Sequence, residues 1–225
     1  MTLEEAIAKI KPLDHNAMEI AQKRWDSIAK PLHSLGKLET LLIQIAGITG
    51  NAEVDLSRRG LIAMCADNGV VEEGVTQTGQ EVTAIVAENF LKYDTSVGVM
   101  CKQNHAEIFP VDMGMVTDTK VRTDHKIAYG TQNMTKGPAM TREQAVKGLE
   151  AGIDMVRELN DKGYRILATG EMGIGNTTTS SAVASVLLKQ PVEEMTGRGA
   201  GLTSEGLVCK INAIKKAITL NKPDP

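Results

Sequence analysis

A chain of 225 residues, 42% of them hydrophobic, can bury one sizeable core with a smaller satellite domain, which excludes a disordered polypeptide and a disulfide-dependent mini-protein. Twenty-five basic residues against 28 acidic ones leave a formal charge of −3, which argues against nucleic acid or an anionic membrane as partner and for small ligands. Aromatic residues make up only 3% of the chain, too few for a base-stacking platform, so backbone and short polar side chains must do the recognition.

Thr2 and Glu5 have the spacing of a capping box, which predicts a short helix at the start. Met18, Ala21, Trp25 and Ile28 share one face of a second helix stopped by Pro31, and Leu38, Leu41, Leu42, Ile45 and Ala46 mark a third. Residues 1–58 are therefore expected to be a helical segment belonging to a small domain. The start lacks a basic stretch followed by an apolar run, and nothing later approaches the length of a membrane span. Cys65, Cys101 and Cys209 are widely spaced and odd in number, so no disulfide framework is expected and a reducing cytoplasm is.

From Gly60 the pattern changes. Leu61–Ala66 is a continuous apolar run, as in a strand covered on both faces, and Ile108–Val111 and Ile166–Ala168 are the next candidates. Helical periods lie between them, at Val82, Ile85, Val86 and Phe90 and at Ala145, Leu149, Ile153 and Val156, the latter opened by a second capping-box pair, Thr141 and Gln144. The alternation predicts an α/β fold over 59–225, a Rossmann-like, mostly parallel sheet flanked by helices. Ligands of such sheets bind beyond the carboxyl ends of the strands, where Asp67-Asn68-Gly69, Asp112-Met113-Gly114 and Gly170-Glu171-Met172-Gly173 all fall. Thr117 to Gly137 is polar and aperiodic and reads as a long excursion or lid rather than core.

Gly170-Glu171-Met172-Gly173-Ile174-Gly175-Asn176-Thr177-Thr178-Thr179 sets three glycines before a run of hydroxyls and an apolar helix marked by Ala182, Val183, Val186 and Leu187. Glycine lets backbone N–H groups approach an anion, and the helix start adds donors and partial positive charge. Asn176 stands where a P-loop needs lysine, and Thr178 where a dinucleotide fingerprint needs its third glycine. A mononucleotide phosphate fits better, with Glu171 beside it as a general base or a ligand for ribose or an azole N–H. Asp67 and Asp112 are candidates for binding ribose or orienting the loops. Thr196-Gly197-Arg198-Gly199-Ala200-Gly201 is a second glycine-rich segment, leading into a helix marked by Leu207, Ile211, Ile214 and Ile218. Arg198 could fork onto an anion there and Lys210 add a point charge. His15, His33, His105 and His125 show no ligand spacing, and no metal is assigned.

Ser34-Leu35-Gly36-Lys37-Leu38-Glu39, Ala66-Asp67-Asn68-Gly69-Val70, Glu73-Gly74-Val75-Thr76, Gln80-Glu81-Val82-Thr83, Asp112-Met113-Gly114, the Gly170 loop and Thr196-Gly197-Arg198-Gly199 stand in this order along most of the chain. Together they resemble the nicotinate-nucleotide:dimethylbenzimidazole phosphoribosyltransferase family. The resemblance implies transfer of phosphoribose from nicotinate mononucleotide to 5,6-dimethylbenzimidazole, giving α-ribazole 5′-phosphate and nicotinate, by a homodimer without cofactor. It implies that Gly173, Gly175, Asn176, Thr177 and Thr178 hold the 5′-phosphate with help from Lys210, and that Thr76, Gln80 and Met172 approach the aromatic base. Asn68 departs from the family, which often has histidine there, and so does Pro31-Leu32-His33, which replaces a proline-glycine-rich approach to Ser34. The resemblance also implies a general-base glutamate in a glycine-rich loop beyond Pro225, with Glu171 supporting it or acting as an alternative base. On that reading the chain is expected to be part of a longer protein, and the competing expectation is a catalytically silent module that binds nucleotide and azole.

Overall fold

The computed structural model describes residues 1–224. Thr2 Oγ1 accepts the Glu5 N–H at 3.2 Å and the Glu5 carboxylate accepts the Thr2 N–H at 3.1 Å, and this reciprocal cap opens α1 (Leu3–Ala8). Asp14 caps α2 (His15–Ser27), which ends just before Ile28 and so short of Pro31. Gly50, in the left-handed conformation at φ 65°, terminates α3 (Lys37–Thr49). The two longer helices bury Ala17, Ala21, Ala46 and Gly47. A Cβ on Gly47 would lie 2.7 Å from Met18, so glycine is what allows that packing. Glu39 is buried, accepts the Leu35 N–H at 3.1 Å and pairs with Lys30 Nζ at 2.8 Å, while the Lys30 ammonium stands 5.6 Å from the centroid of Trp25. The hydrogen bond to Lys30 holds the Glu39 carboxyl below its usual range. Met1–Arg58 is one compact unit, and a second starts at Arg59.

The second unit is built on three parallel strands in the order β2-β1-β3: β1 (Arg59–Ala66) in the middle, β2 (Ala106–Gly114) and β3 (Ile166–Met172) at its sides. The register sets Cys65 opposite both Asp112 and Met172, so the three strands finish level with one another. Helices cover both faces. On one, α4 (Glu81–Lys92) lays Ala84, Ala87 and Phe90 against Ala63 and Cys65, with α5 (Ser96–Gln103) following it. On the other, α6 (Arg142–Asp161), opened by the Thr141–Gln144 capping box, lays Met155 and Leu159 against Ile62, Val111 and Tyr164. The alternation of Ile62 and Ala63 between faces is the period of two that a two-sided strand requires. Beyond the sheet's carboxyl edge, α7 (Asn176–Leu188), the short α8 (Val192–Met195) and α9 (Ser204–Asn221) gather a separate cluster of Ala182, Val192, Ala213, Ile214 and Ala217 around Val70, Val75 and Met134.

Two expectations need correction. The segment 117–137 is irregular, yet it is not a lid outside the core: Val121 and Met134 are buried, as is Met115 just before it. Its backbone is bonded to β2 at scattered points, where the Arg122 carbonyl accepts the Asp112 N–H at 2.8 Å and the Met113 and Gly114 carbonyls accept the Ile127 and Gly130 N–H groups at 3.0 Å, and side chains hold the residues that lead into it. Asp67 Oδ2 accepts the Val116 N–H at 2.8 Å, and Asp112 Oδ1 accepts the N–H groups of Gly114 and Met115 at 2.9 and 2.7 Å. Such singly packed residues leave no period to read. Second, cover on both faces describes β1 but not β3, where Ile166 is 43% exposed. Val183, Leu187 and Leu188 of α7 are likewise about 60% exposed. No helix among the described residues is long and apolar enough to cross a membrane.

Candidate nucleotide-phosphate site

Gly173 follows β3 directly and carries the chain across the end of β1. A Cβ at this position would lie 2.1 Å from the Ala66 carbonyl oxygen, so only glycine permits the crossing. Gly175, at φ 91°, then turns the chain into α7. Asn176 Oδ1 accepts the Thr177 N–H at 2.6 Å, and Asn176 Nδ2 donates to the two Glu171 carboxylate oxygens at 2.7 and 2.8 Å. Glu171, at the end of β3, is exposed. One asparagine therefore orients the acid and satisfies a free N–H in the first turn of the helix.

Thr177, Thr178 and Thr179 face three ways because successive helical residues are turned by about 100°. Thr177 is exposed and its Oγ1 accepts from Lys210 Nζ at 2.7 Å. Thr178 is fully buried, and its hydroxyl has no hydrogen-bond partner among the described residues. Thr179 donates to the Asn176 carbonyl at 2.9 Å. Lys210 comes from α9 and is only 1% exposed, yet no carboxylate among the described residues pairs with it. Its second partner is the Gly197 carbonyl, at 3.1 Å. Gly199, at φ 57°, brings the second glycine-rich loop so close that a Cβ would sit 2.9 Å from Thr177 Oγ1 and 3.5 Å from Lys210 Nζ. Burial pushes the pKa of Lys210 down.

The other expected residues are engaged within the chain. Arg198 does not fork towards this lysine; its guanidinium donates to the Leu202 carbonyl at 2.8 Å and to Ser204 Oγ at 3.2 Å, which shapes its own loop. Asp67 and Asp112 are fully buried and hold the backbone of the segment after β2, so of the two roles read for them the structure displays loop orientation. Lys126 Nζ stands 3.2 Å from Asp112 Oδ2, and burial pushes the Asp67 carboxyl up. Met172 packs into the core on the α4 face. Thr76 donates to the Thr78 carbonyl at 2.8 Å and Gln80 to the Asn68 carbonyl at 3.1 Å. Gln77, which no pattern singled out, donates to the Gly201 carbonyl and so ties the segment at 76–80 to the second glycine-rich loop. Cys65 is no nucleophile, since burial and then Asp112 push its thiol up to about 12.

A three-stranded parallel α/β core whose strand-end glycine loop meets a buried lysine and a second glycine loop belongs to the class of α/β folds with an anion-suited site at the strand ends. The comparisons with known proteins narrow this class. A sequence model of the phosphoribosyltransferase family (DBI_PRT) matches residues 10–225, and the chain belongs to that family. A relative from Ruminiclostridium cellulolyticum named nicotinate-nucleotide–dimethylbenzimidazole phosphoribosyltransferase is 52% identical over 227 residues, which cover 100% of this chain and 64% of the relative. One of the same name from Clostridium tetani is 47% identical over 99% of this chain and 62% of its own length. The crystal structure of CobT from Thermus thermophilus superposes with a TM-score of 0.84 at 35% identity, covering 93% of this chain and 63% of that one. The chain thus spans less than two thirds of the length of these relatives.

Proposed function

We propose that this protein is a pentosyltransferase that moves phosphoribose from nicotinate mononucleotide to 5,6-dimethylbenzimidazole, giving α-ribazole 5′-phosphate and nicotinate in the nucleotide-loop branch of cobalamin biosynthesis. The observation that carries the reading is Lys210. A buried ammonium whose partners are a hydroxyl and a carbonyl is an uncompensated positive charge, and a phosphate supplies the balancing negative charge along with acceptors for the surrounding donors. The names of the relatives support the choice of nucleotide and azole.

In the reaction the bond from ribose C1′ to the nicotinate nitrogen breaks, a bond from C1′ to the azole nitrogen forms, and the azole N–H proton passes to a carboxylate. Positive charge builds on the sugar in between. Lys210 and Thr177 fix the 5′-phosphate. Glu171, held by Asn176 next to Thr177, presents its negative charge on the ribose side, where it stabilises the developing cation. On the family resemblance the proton goes to a glutamate outside residues 1–225, with Glu171 as support or alternative, and Thr76, Gln80 and Met172 line the approach of the base. Homodimer formation and a cytoplasmic location belong to the same proposal.

Incubating this chain, and a version extended to the length of its relatives, with nicotinate mononucleotide and dimethylbenzimidazole tests it through nicotinate release. The extended version is expected to release nicotinate and both are expected to bind the mononucleotide. Binding by both without release by either would replace the enzyme reading with the binding-module reading. In the active form, Glu171→Gln keeps an acceptor for Asn176 and removes the charge. It should lower kcat roughly 10- to 100-fold while KM for the mononucleotide stays within about twofold. Unchanged kcat would remove Glu171 from the chemistry.

A further inference from the structure

The turn that carries the phosphate site is held through the backbone of one residue. We propose that Thr83 and Asn68 are positioning residues for nicotinate mononucleotide, acting through the backbone of Ile174 without touching the ligand. The inference rests on the reading of Lys210 and Thr177 as the phosphate cradle.

Ile174 is the middle of Gly173-Ile174-Gly175, a turn that two glycines would leave free to take many conformations. Thr83 Oγ1, on the first turn of α4, accepts the Ile174 N–H at 3.0 Å. Asn68 Nδ2, two residues past β1, donates to the Ile174 carbonyl at 3.1 Å. Both backbone hydrogen-bonding groups of this residue are therefore taken by side chains from two different elements. Asn68 Oδ1 also stands 3.4 Å from Thr179 Oγ1 on the first turn of α7, a contact secondary to the 2.9 Å bond that hydroxyl makes to the Asn176 carbonyl.

The surroundings leave the turn little alternative. Thr83 is fully buried, and its hydroxyl donates to the buried Asp67 carboxylate, which fixes the lone pair that it offers to the Ile174 N–H. Gly173 presses on the Ala66 carbonyl, and a Cβ on Gly175 would lie 3.1 Å from the Asn68 Cβ, so the turn is wedged as well as bonded. Asn176 and Thr177 follow Ile174 by two and three residues. Holding Ile174 fixes where α7 begins and hence where Thr177 Oγ1 meets Lys210 Nζ. The cradle is then formed before ligand arrives, and the ordering cost is not charged to binding.

Thr83→Val removes the hydroxyl at nearly constant shape, and Thr83→Ser returns it. Two quantities are read: calorimetric affinity for nicotinate mononucleotide and hydrogen exchange at the Ile174 amide. Thr83→Val is expected to weaken binding and to speed Ile174 exchange, each by roughly tenfold, and Thr83→Ser to restore both to within about threefold. Asn68→Ala, at a partly exposed position, serves if the valine variant does not fold and is expected to weaken binding by a similar factor. Wild-type affinity in a folded Thr83→Val or Asn68→Ala protein, or failure of serine to rescue a folded valine variant, would overturn the proposal. Failure of the wild-type chain to bind the mononucleotide would instead overturn the cradle reading, and is distinguishable because it needs no variant.

Discussion

Replacing Lys210 by methionine is expected to weaken binding of nicotinate mononucleotide by about 2–4 kcal/mol, roughly 30- to 1000-fold, while the unliganded fold stays as stable or becomes more so. The two effects have one cause. The ammonium is 1% exposed and its partners, Thr177 Oγ1 and the Gly197 carbonyl, are neutral, so the folded chain bears the cost of desolvating a charge without an ion pair to offset it. Methionine fills a similar volume and removes that cost, together with the charge that draws the phosphate in. The pH dependence follows from the lowered pKa of Lys210. Between that lowered value and the ordinary lysine value of about 10.4, the unfolded chain holds a proton that the folded chain has released. Unfolding therefore takes up a proton, and the stability of the unliganded wild type rises with pH across this window, an increment Lys210→Met lacks. Phosphate binding runs the other way, because the charged form is the one that binds, so affinity falls as pH climbs through the lowered pKa. Thermal unfolding of both proteins from neutral to alkaline pH, with and without the mononucleotide, reads all of this. A methionine variant that binds as well as wild type would remove the cradle.

The parts of this molecule that were legible in the sequence are those whose signal is local. Leu61–Ala66 announces the central strand because both its neighbours and both its covering layers demand apolar side chains, and Thr141 with Gln144 announces α6 because a capping box is written within four residues. The Gly170 loop is legible for the same reason, since glycines before hydroxyls at a helix start are a short-range pattern. The parts that were not legible depend on partners far along the chain. Thr83 meets Ile174 from 91 residues away, and Gln77 meets Gly201 from 124. No spacing encodes such a contact. Three consecutive threonines likewise cannot reveal which hydroxyl faces out until the phase of α7 is known, and it is Thr177 that reaches Lys210 while Thr178 is buried. Arg198 was read by its chemistry as an anion fork, but Leu202 and Ser204, a few residues on, offer its donors nearer acceptors. Asp67 and Asp112 show the same limit: their place at the strand ends was legible, whereas burial under the segment after β2 made them supports for the backbone.

Gly173→Ala is expected to destabilise the second unit by about 3 kcal/mol, lowering its unfolding temperature by roughly 6–12 °C, and to disable the phosphate site in whatever stays folded. The added methyl would sit 2.1 Å from the Ala66 carbonyl oxygen, and that neighbour is backbone, so it cannot swing aside as a side chain would. Relief requires the turn to back away from the end of β1 by about an ångström, a van der Waals requirement of close-packed interiors. That movement lengthens the bonds from Asn68 Nδ2 to the Ile174 carbonyl and from the Ile174 N–H to Thr83, and carries Thr177 away from Lys210. Stability and affinity should therefore fall together, unlike in Lys210→Met, where they part. Gly152→Ala supplies the control. Gly152 lies within α6 with nothing within 4 Å of a Cβ, so the same substitution should stabilise the chain by about 0.5–1 kcal/mol through helix propensity. Paired melting curves and mononucleotide titrations on the two alanine variants check the prediction. A Gly173→Ala protein that melts and binds like wild type would mean that the end of β1 and the phosphate turn do not approach each other as closely as this geometry has them.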